Sequence, residues 1–463
     1  MIKIDANLSP GDLTDAVDTL FSLAGQKTAS LRESWKPEDG TPVFTVKGRY
    51  TSRGWTEWTQ GFLYGMSILH FDGTGDRASL SYGTESTLAL MAPHLTHVGV
   101  HDHGFNNVST YGNLHRLMRE GKIEENAWER NFYELALKVS GAVQAARWTD
   151  LPDSLGYICS FNGPHSLFID TVRSLRILAV SHQLGHFLMG EQDERISLLD
   201  RLLRHAETTA QYCVYHGEGR DSFDVKGRVA HEAIFNLRSG VYRCPSSQQG
   251  YSPFSTWTRG LAWALCGFAE ELEFLKTVPE KEFDGLKVGE VEGKNGFVER
   301  FQTMAEEIAD FYIENTPADG IPYWDTGAPG LARLDGYLDR PADPYNDHEP
   351  VDSSAASIAA QGLVRLGKTL AENGDKAKGK QYLQAGLTVA ASLFREPYTS
   401  TDPDHQGLIL HSVYHRPNGW DYIPDGQTVP CGESSMWGDY HSLELALLIQ
   451  RLSQDSYYSF FIV

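Results

Sequence analysis

Residues 249–260 read QGYSPFSTWTRG and run directly into LAWALCGFAEELEFL, residues 261–275. The first part gathers Tyr251, Phe254 and Trp257 with Gln249, Ser255, Thr256 and Arg259. Aromatic faces offer flat apolar area and an Arg offers a planar fork to a carboxylate, so the set suits a sugar ring that carries a carboxylate. The same residues would also serve as an aromatic loop capping a buried helix. The second part is apolar nearly all round, as expected of an inner helix covered by others.

The surrounding chain extends that helical reading. Residues 166–188 are apolar apart from Asp170, Arg173, Arg176 and two His, and also read as an inner helix. By contrast, 191–213 places Ile196, Leu199, Leu203, Ala206, Ala210 and Cys213 on one stripe, and 297–313 is similarly one-sided, as outer helices are. Helical spacing recurs at 11–33, 55–71 (with Trp55, Trp58, Phe62 and Met66), 85–95, 107–119, 124–148, 352–366, 378–394 and 437–452. Residues 214–256 are irregular with β-like pieces VAHEAIF and GVYRC, 277–296 read as a solvated insertion, and 317–351 and 395–436 are long Gly/Pro/Asp-rich connections. Roughly twelve alternating inner and outer helices with no strong linker predict an all-α chain, one domain over 1–463, built as an (α/α)6 barrel of six hairpins.

Composition narrows the functional classes. Against 40 basic residues stand 61 acidic ones, a net charge of −21, which disfavours nucleic acid or an anionic membrane as partner. A site for a small anion would have to supply its own cationic and N–H groups. Cys159, Cys213, Cys244, Cys266 and Cys431 lack CxxC spacing and are expected as free thiols. The start, MIKIDANLSPGDL, has no basic segment followed by an apolar one, so a cytoplasmic protein is expected, or a periplasmic one had a signal been removed.

The polar motifs HDHGF (101–105), FID (168–170), FSTWTRG (254–260), PYWD (322–325), DSSAAS (352–357) and ESSMWGD (433–439) fall in loops or first turns of helices. In a toroid the starts of alternate helices share one rim, where free N–H groups and positive dipole ends favour anions. Asp170 and Asp102 are candidates for a carboxyl pair, one of them kept in its acid form by burial and by its neighbour. A helix cap or an ion pair with Arg173 or Arg176 would explain Asp170 equally well, and a turn would explain Asp102. His231 reads either as a site residue or as a core histidine satisfied by backbone. His182 and His186 have the spacing of a zinc helix, but Gln183 stands where a metalloprotease needs Glu, so no metal is expected. The acidic run DPYNDHEPVD (343–352) lacks the ligand spacing of a calcium loop and reads as solvated.

WTEWTQGFLYGM, HDHGF, FIDT, QGYSPFSTWTRG, GIPYWD, DSSAASIAAQGL and ESSMWGDYHSLELAL, in this order from about residue 55 to 447, resemble the unsaturated glucuronyl hydrolases of glycoside hydrolase family 88. The resemblance implies an (α/α)6 barrel, no cofactor, and a substrate oligosaccharide ending in a 4,5-unsaturated uronic acid. It further implies Asp170 as general acid/base, Asp102 as the second essential carboxylate, His231, Gln249, Trp257 and Arg259 as sugar contacts, and Tyr323, Ser354 and Ser357 around the uronate carboxylate. The chain departs from the family in VRSLRIL after FID, which adds Arg173 and Arg176 and puts Ser174 where Asn is usual, and in His103. Other readings of the same residues are an unsaturated rhamnogalacturonyl hydrolase, a polysaccharide lyase with a Tyr/His base, and a non-catalytic oligosaccharide-binding protein. Either a monomer or a homodimer is compatible with the sequence.

Overall fold

The computed structural model describes residues 1–54 and 57–461; Trp55, assigned above to a helical stripe, lies outside them. Helices alternate strictly between two rings. The inner ring runs through Gln60–Thr74, the segments His103–Asn107 and Asn113–Arg119, the pair Thr171–Ser174 and Arg176–Gln183, then Thr258–Thr277, Ser353–Glu372 and Met436–Ser453. Each packs on the next and Met436–Ser453 packs back on Gln60–Thr74, which closes the ring. The outer ring is Thr14–Ser34, Arg77–Leu90, Ala127–Ala146, Leu198–Tyr212, Gly293–Glu314 and Lys376–Leu393. This is the expected α/α toroid.

The apolar pattern explains the two rings. Ser353–Glu372 and Thr258–Thr277 are buried along almost their whole length, whereas Arg77–Leu90 buries only Gly83 and Thr87. The inner helices therefore supply core on every side, and the outer ones roof it with one stripe. No helix among the described residues is long and apolar enough to cross a membrane. The thiols are all free; Cys244 is exposed and the other four are buried.

Residues 166–188 are not one helix. Ser166–Phe168 is a strand paired antiparallel with Glu232–Phe235, which in turn pairs with Tyr242–Ser246. A short apolar run satisfies a buried strand as well as a helix, and here β pairing takes its first three residues. The strand-to-helix corner that results falls on Asp170. Arg173 and Arg176 leave it for the core: Arg173 pairs with Glu270 and Glu444, and Arg176 lies 3.4 Å from Glu444. The 191–213 helix likewise begins only at Leu198, after the strand Arg195–Ser197.

Two loops expected to be solvated are anchored. In 277–296, Val278, Phe283 and Val288 are buried. In 343–352, the Glu349 carboxylate accepts from Trp324 Nε1 at 2.8 Å and from the Gly330 N–H at 2.8 Å, while Asp352 is fully buried.

Candidate active site

A cleft of about 370 Å³ opens at one end of the inner ring, and Asp102 and Asp170 both line it. Two local devices bring them together. Asp170 sits where the strand Ser166–Phe168 turns into Thr171–Ser174, with the Ile169 N–H donating to the His231 carbonyl at 3.0 Å. Asp102 precedes His103–Asn107, whose Gly104 N–H donates to Ser174 Oγ at 2.9 Å; that hydroxyl donates on to the His101 carbonyl at 2.8 Å.

One imidazole joins the two carboxylates. His101 Nε2 lies 3.2 Å from Asp170 Oδ1 and 3.8 Å from Asp102 Oδ1, with the His ring 1% and each Asp side chain 11% exposed. Burial opposes a charge on His101, but Asp102 and Asp170 outweigh it and raise its pKa. Asp170 shows the reverse balance: burial favours its acid form, yet His101, His231 and Arg259 hold its pKa below the usual value. Asp102 is raised, by burial first and with Asp170 adding to it. The upward shift expected from burial and a neighbouring carboxyl thus falls on Asp102 rather than on Asp170. Nor does Asp170 cap the helix it precedes, with which its side chain makes no capping bond, or pair with Arg173 or Arg176, which are held by Glu270 and Glu444.

His231 stands behind the cleft wall. Its Nδ1 accepts the backbone N–H of Gln248 at 2.9 Å, which leaves the ring proton on Nε2. That Nε2 is buried without a hydrogen-bond partner among the described residues, and burial pushes the pKa down to about 4, so the ring is neutral. Phe168 and Trp257 flank it, with ring centres 4.5 and 4.8 Å away.

The 249–260 stretch forms one wall, and Gln249, Trp257 and Arg259 line the cleft. The guanidinium is not an open fork. Nη1 donates to Asp352 Oδ2 at 3.0 Å and to the Val413 carbonyl, while Nη2 donates to Gln249 Oε1 at 3.0 Å and to the Tyr414 carbonyl at 2.9 Å. Trp257 and Trp437 sandwich it at 4.7 and 4.8 Å. Its four Nη hydrogens are therefore taken, leaving only Nε–H. Burial lowers the pKa of Arg259, and Asp352 opposes that shift.

The other three expected contacts lie outside the cleft lining. Ser354 is fully buried; its Oγ donates to Asp352 Oδ1 at 2.5 Å and accepts from Trp437 Nε1 at 3.0 Å. Ser357 donates to the Ser354 carbonyl at 2.8 Å, and the Tyr323 ring packs edge-on to Tyr337. A helix start whose hydroxyls bond its own first turn looks the same in sequence as one whose hydroxyls face a ligand. His103 is also spoken for, between Ser140 Oγ at 2.9 Å and the His97 carbonyl at 3.1 Å. His182 pairs with Glu282 at 2.9 Å, away from the cleft.

Among the lining groups that sequence reasoning missed are Arg53, His101, Phe161, Tyr414 and Trp420. His101 could have been found from its place beside Asp102, since an imidazole next to a buried carboxyl sets the charge of both. Phe161 stacks on it at 6.0 Å. Tyr414 and Trp420 come from the 395–436 connection, where no periodicity marks a residue as important.

No family model matches the chain. Curated relatives do. An unsaturated glucuronyl hydrolase of Formosa agariphila is 25% identical over 401 residues, covering 86% of this chain and 80% of that one. An unsaturated chondroitin disaccharide hydrolase of Streptococcus pyogenes is 24% identical over 453 residues, 95% of this chain and 92% of its own. The chain is thus similar to unsaturated glucuronyl hydrolases along most of its length. Among solved structures, the unsaturated glucuronyl hydrolase of Bacillus sp. GL1, responsible for the degradation of glycosaminoglycan, shares the fold with a TM-score of 0.67 and 21% identity. The match covers 92% of this chain and 95% of that one.

Proposed function

We propose that the protein is a glycoside hydrolase that releases the terminal 4,5-unsaturated uronic acid from oligosaccharides by hydrating the C4=C5 vinyl ether. The observation that carries the reading is the pair of buried carboxyls held on one imidazole in an aromatic-walled cleft. The relatives named as unsaturated glucuronyl and chondroitin disaccharide hydrolases support it.

In this reading Asp170 is the general acid and base. Its carboxyl gives a proton to C4, water adds at C5, and Asp170 takes a proton back from that water. The product is a hemiketal at C5 that opens, freeing the neighbouring sugar. The anomeric carbon is not attacked, so the separation of the two carboxyls carries no information about retention or inversion. Before substrate binds, the proton is shared by the Asp102–His101–Asp170 set rather than held by Asp170 alone. A uronate entering this pocket brings a negative charge and displaces water, and both effects favour the acid form of Asp170. Asp102 orients the sugar, Trp257 and Gln249 contact the ring, and His231 offers its free Nε2–H behind them.

Ultraviolet absorbance of the C4=C5 chromophore tests the reading on lyase-generated disaccharides. The signal should fall with enzyme. A rise on intact polysaccharide would instead indicate a lyase, and no change on either substrate would leave an oligosaccharide binder.

A further inference from the structure

Two arginines line the cleft, and they are in opposite condition. Arg259 is buried and bonded on both Nη atoms. Arg53 is exposed at the rim, and among the described residues its guanidinium makes no hydrogen bond or ion pair. Its Cζ lies over the Trp420 ring at 4.8 Å and over the Tyr414 ring at 5.4 Å, two rings tilted by 48° to each other. Glu57, on the same wall, is beyond ion-pair distance but feels its charge: burial raises the Glu57 pKa and Arg53 pulls it part of the way back down.

The rim is built to hold this arrangement. Arg53 follows the strand Arg49–Ser52, whose hairpin with Pro42–Val46 is pinned to the end of the chain. The Thr45 N–H donates to the Ser434 carbonyl at 2.9 Å, and Tyr50 donates to Asp439 at 2.6 Å. On the other side, the Asp421 carboxylate accepts the N–H groups of Tyr414 and His415, tightening the turn that presents Trp420. A guanidinium stacked on aromatic faces keeps its N–H edge free for an oxyanion lying in its plane. A 40% exposed indole beside it offers a face to a sugar ring.

We infer that Arg53 and Trp420 form the subsite for the leaving sugar and select one that carries an oxyanion, a sulfate or a carboxylate. This rests on the hydrolase reading above, in which the terminal uronate reaches the carboxyl pair on the floor and its neighbour remains at the rim. The floor itself carries Asp102 and Asp170, so an anionic group on the leaving sugar finds its cation at the mouth.

The test compares three unsaturated disaccharides whose leaving sugar is neutral, sulfated or carboxylated, with wild type, R53Q and R53K. The quantity read is kcat/KM on each charged substrate divided by that on the neutral one. R53Q should lower this ratio about tenfold, through KM, and the substrate showing the larger fall identifies the preferred oxyanion. R53K, which keeps the charge but not the planar stack, should lose part of it. A ratio unchanged in R53Q, or equal losses on all three substrates, overturns the inference. If wild type turns over none of them, the hydrolase reading fails instead. Calorimetric binding of the same three sugars to wild type and R53Q then decides Arg53 independently, by the same ratio.

Discussion

Gly104 packs on Ser174 so closely that a Cβ built on the glycine would lie 2.1 Å from the Ser174 carbonyl oxygen. This contact joins the loop that carries Asp102 to the corner that carries Asp170. Gly104→Ala should force the two apart, lowering kcat by at least tenfold and stability by about 1–3 kcal/mol. Thermal melting beside the absorbance assay reads both. A fully active, equally stable variant would show that the contact does not set the spacing.

Asp170→Asn keeps the shape of the side chain and removes its proton chemistry. Turnover should fall by about a thousandfold or more, with the melting temperature little changed. Activity within tenfold of the parent would take the acid/base role away from Asp170.

The shared proton predicts a pH profile. The carboxylates raise His101 above its ordinary value of 6.5, so the set keeps its proton to higher pH than a free imidazole would. It loses that proton as pH climbs through the raised pKa. Turnover should therefore fall on the alkaline side of 6.5, and His101→Gln should displace that limb. A kcat profile flat from pH 6 to 10 would rule the shared proton out.

Ser354 and Asp352 belong to the support of the wall. Ser354→Ala should cost about 1–3 kcal/mol of stability, because Asp352 and the Trp437 N–H each lose a partner, and should leave KM within about twofold. Asp352→Ala should cost more, about 3–5 kcal/mol, because it strands a buried guanidinium. Denaturant midpoints separate the two; a KM effect in Ser354→Ala without destabilisation would return that hydroxyl to the substrate.

Acid stability should depend on Glu444. Burial pushes its pKa up, but Arg176 and Arg173 outweigh it and hold the carboxyl at about 2, below the ordinary 4.5. A depressed carboxyl contributes its full stability above its unfolded pKa, and that contribution is lost as pH falls from about 4.5 towards 2. Glu444→Gln should flatten stability across that window, measured by denaturant midpoint against pH.

The toroid was legible because residues 261–275 are apolar nearly all round while the 191–213 stripe is apolar on one side, a contrast that needs no tertiary knowledge. The aspartates were legible too, as carboxyls in apolar surroundings. What could not be read was commitment. The sequence displays Arg259 as a cation and Ser354 as a hydroxyl, but their partners, Val413, Tyr414 and Trp437, are far along the chain. The strand at Ser166–Phe168 was hidden for the same reason, since its pairing partner is more than sixty residues away.

The bonds from Arg259 to Asp352, Val413 and Tyr414 also bear on biosynthesis. A chain still on the ribosome, with both aspartates already emerged, has none of the acceptors that hold its catalytic wall in shape. The rim hairpin waits even longer, for Ser434 and Asp439. The cleft is thus complete only once the last inner helix has been made, and a prematurely terminated product carries both aspartates without the wall that surrounds them.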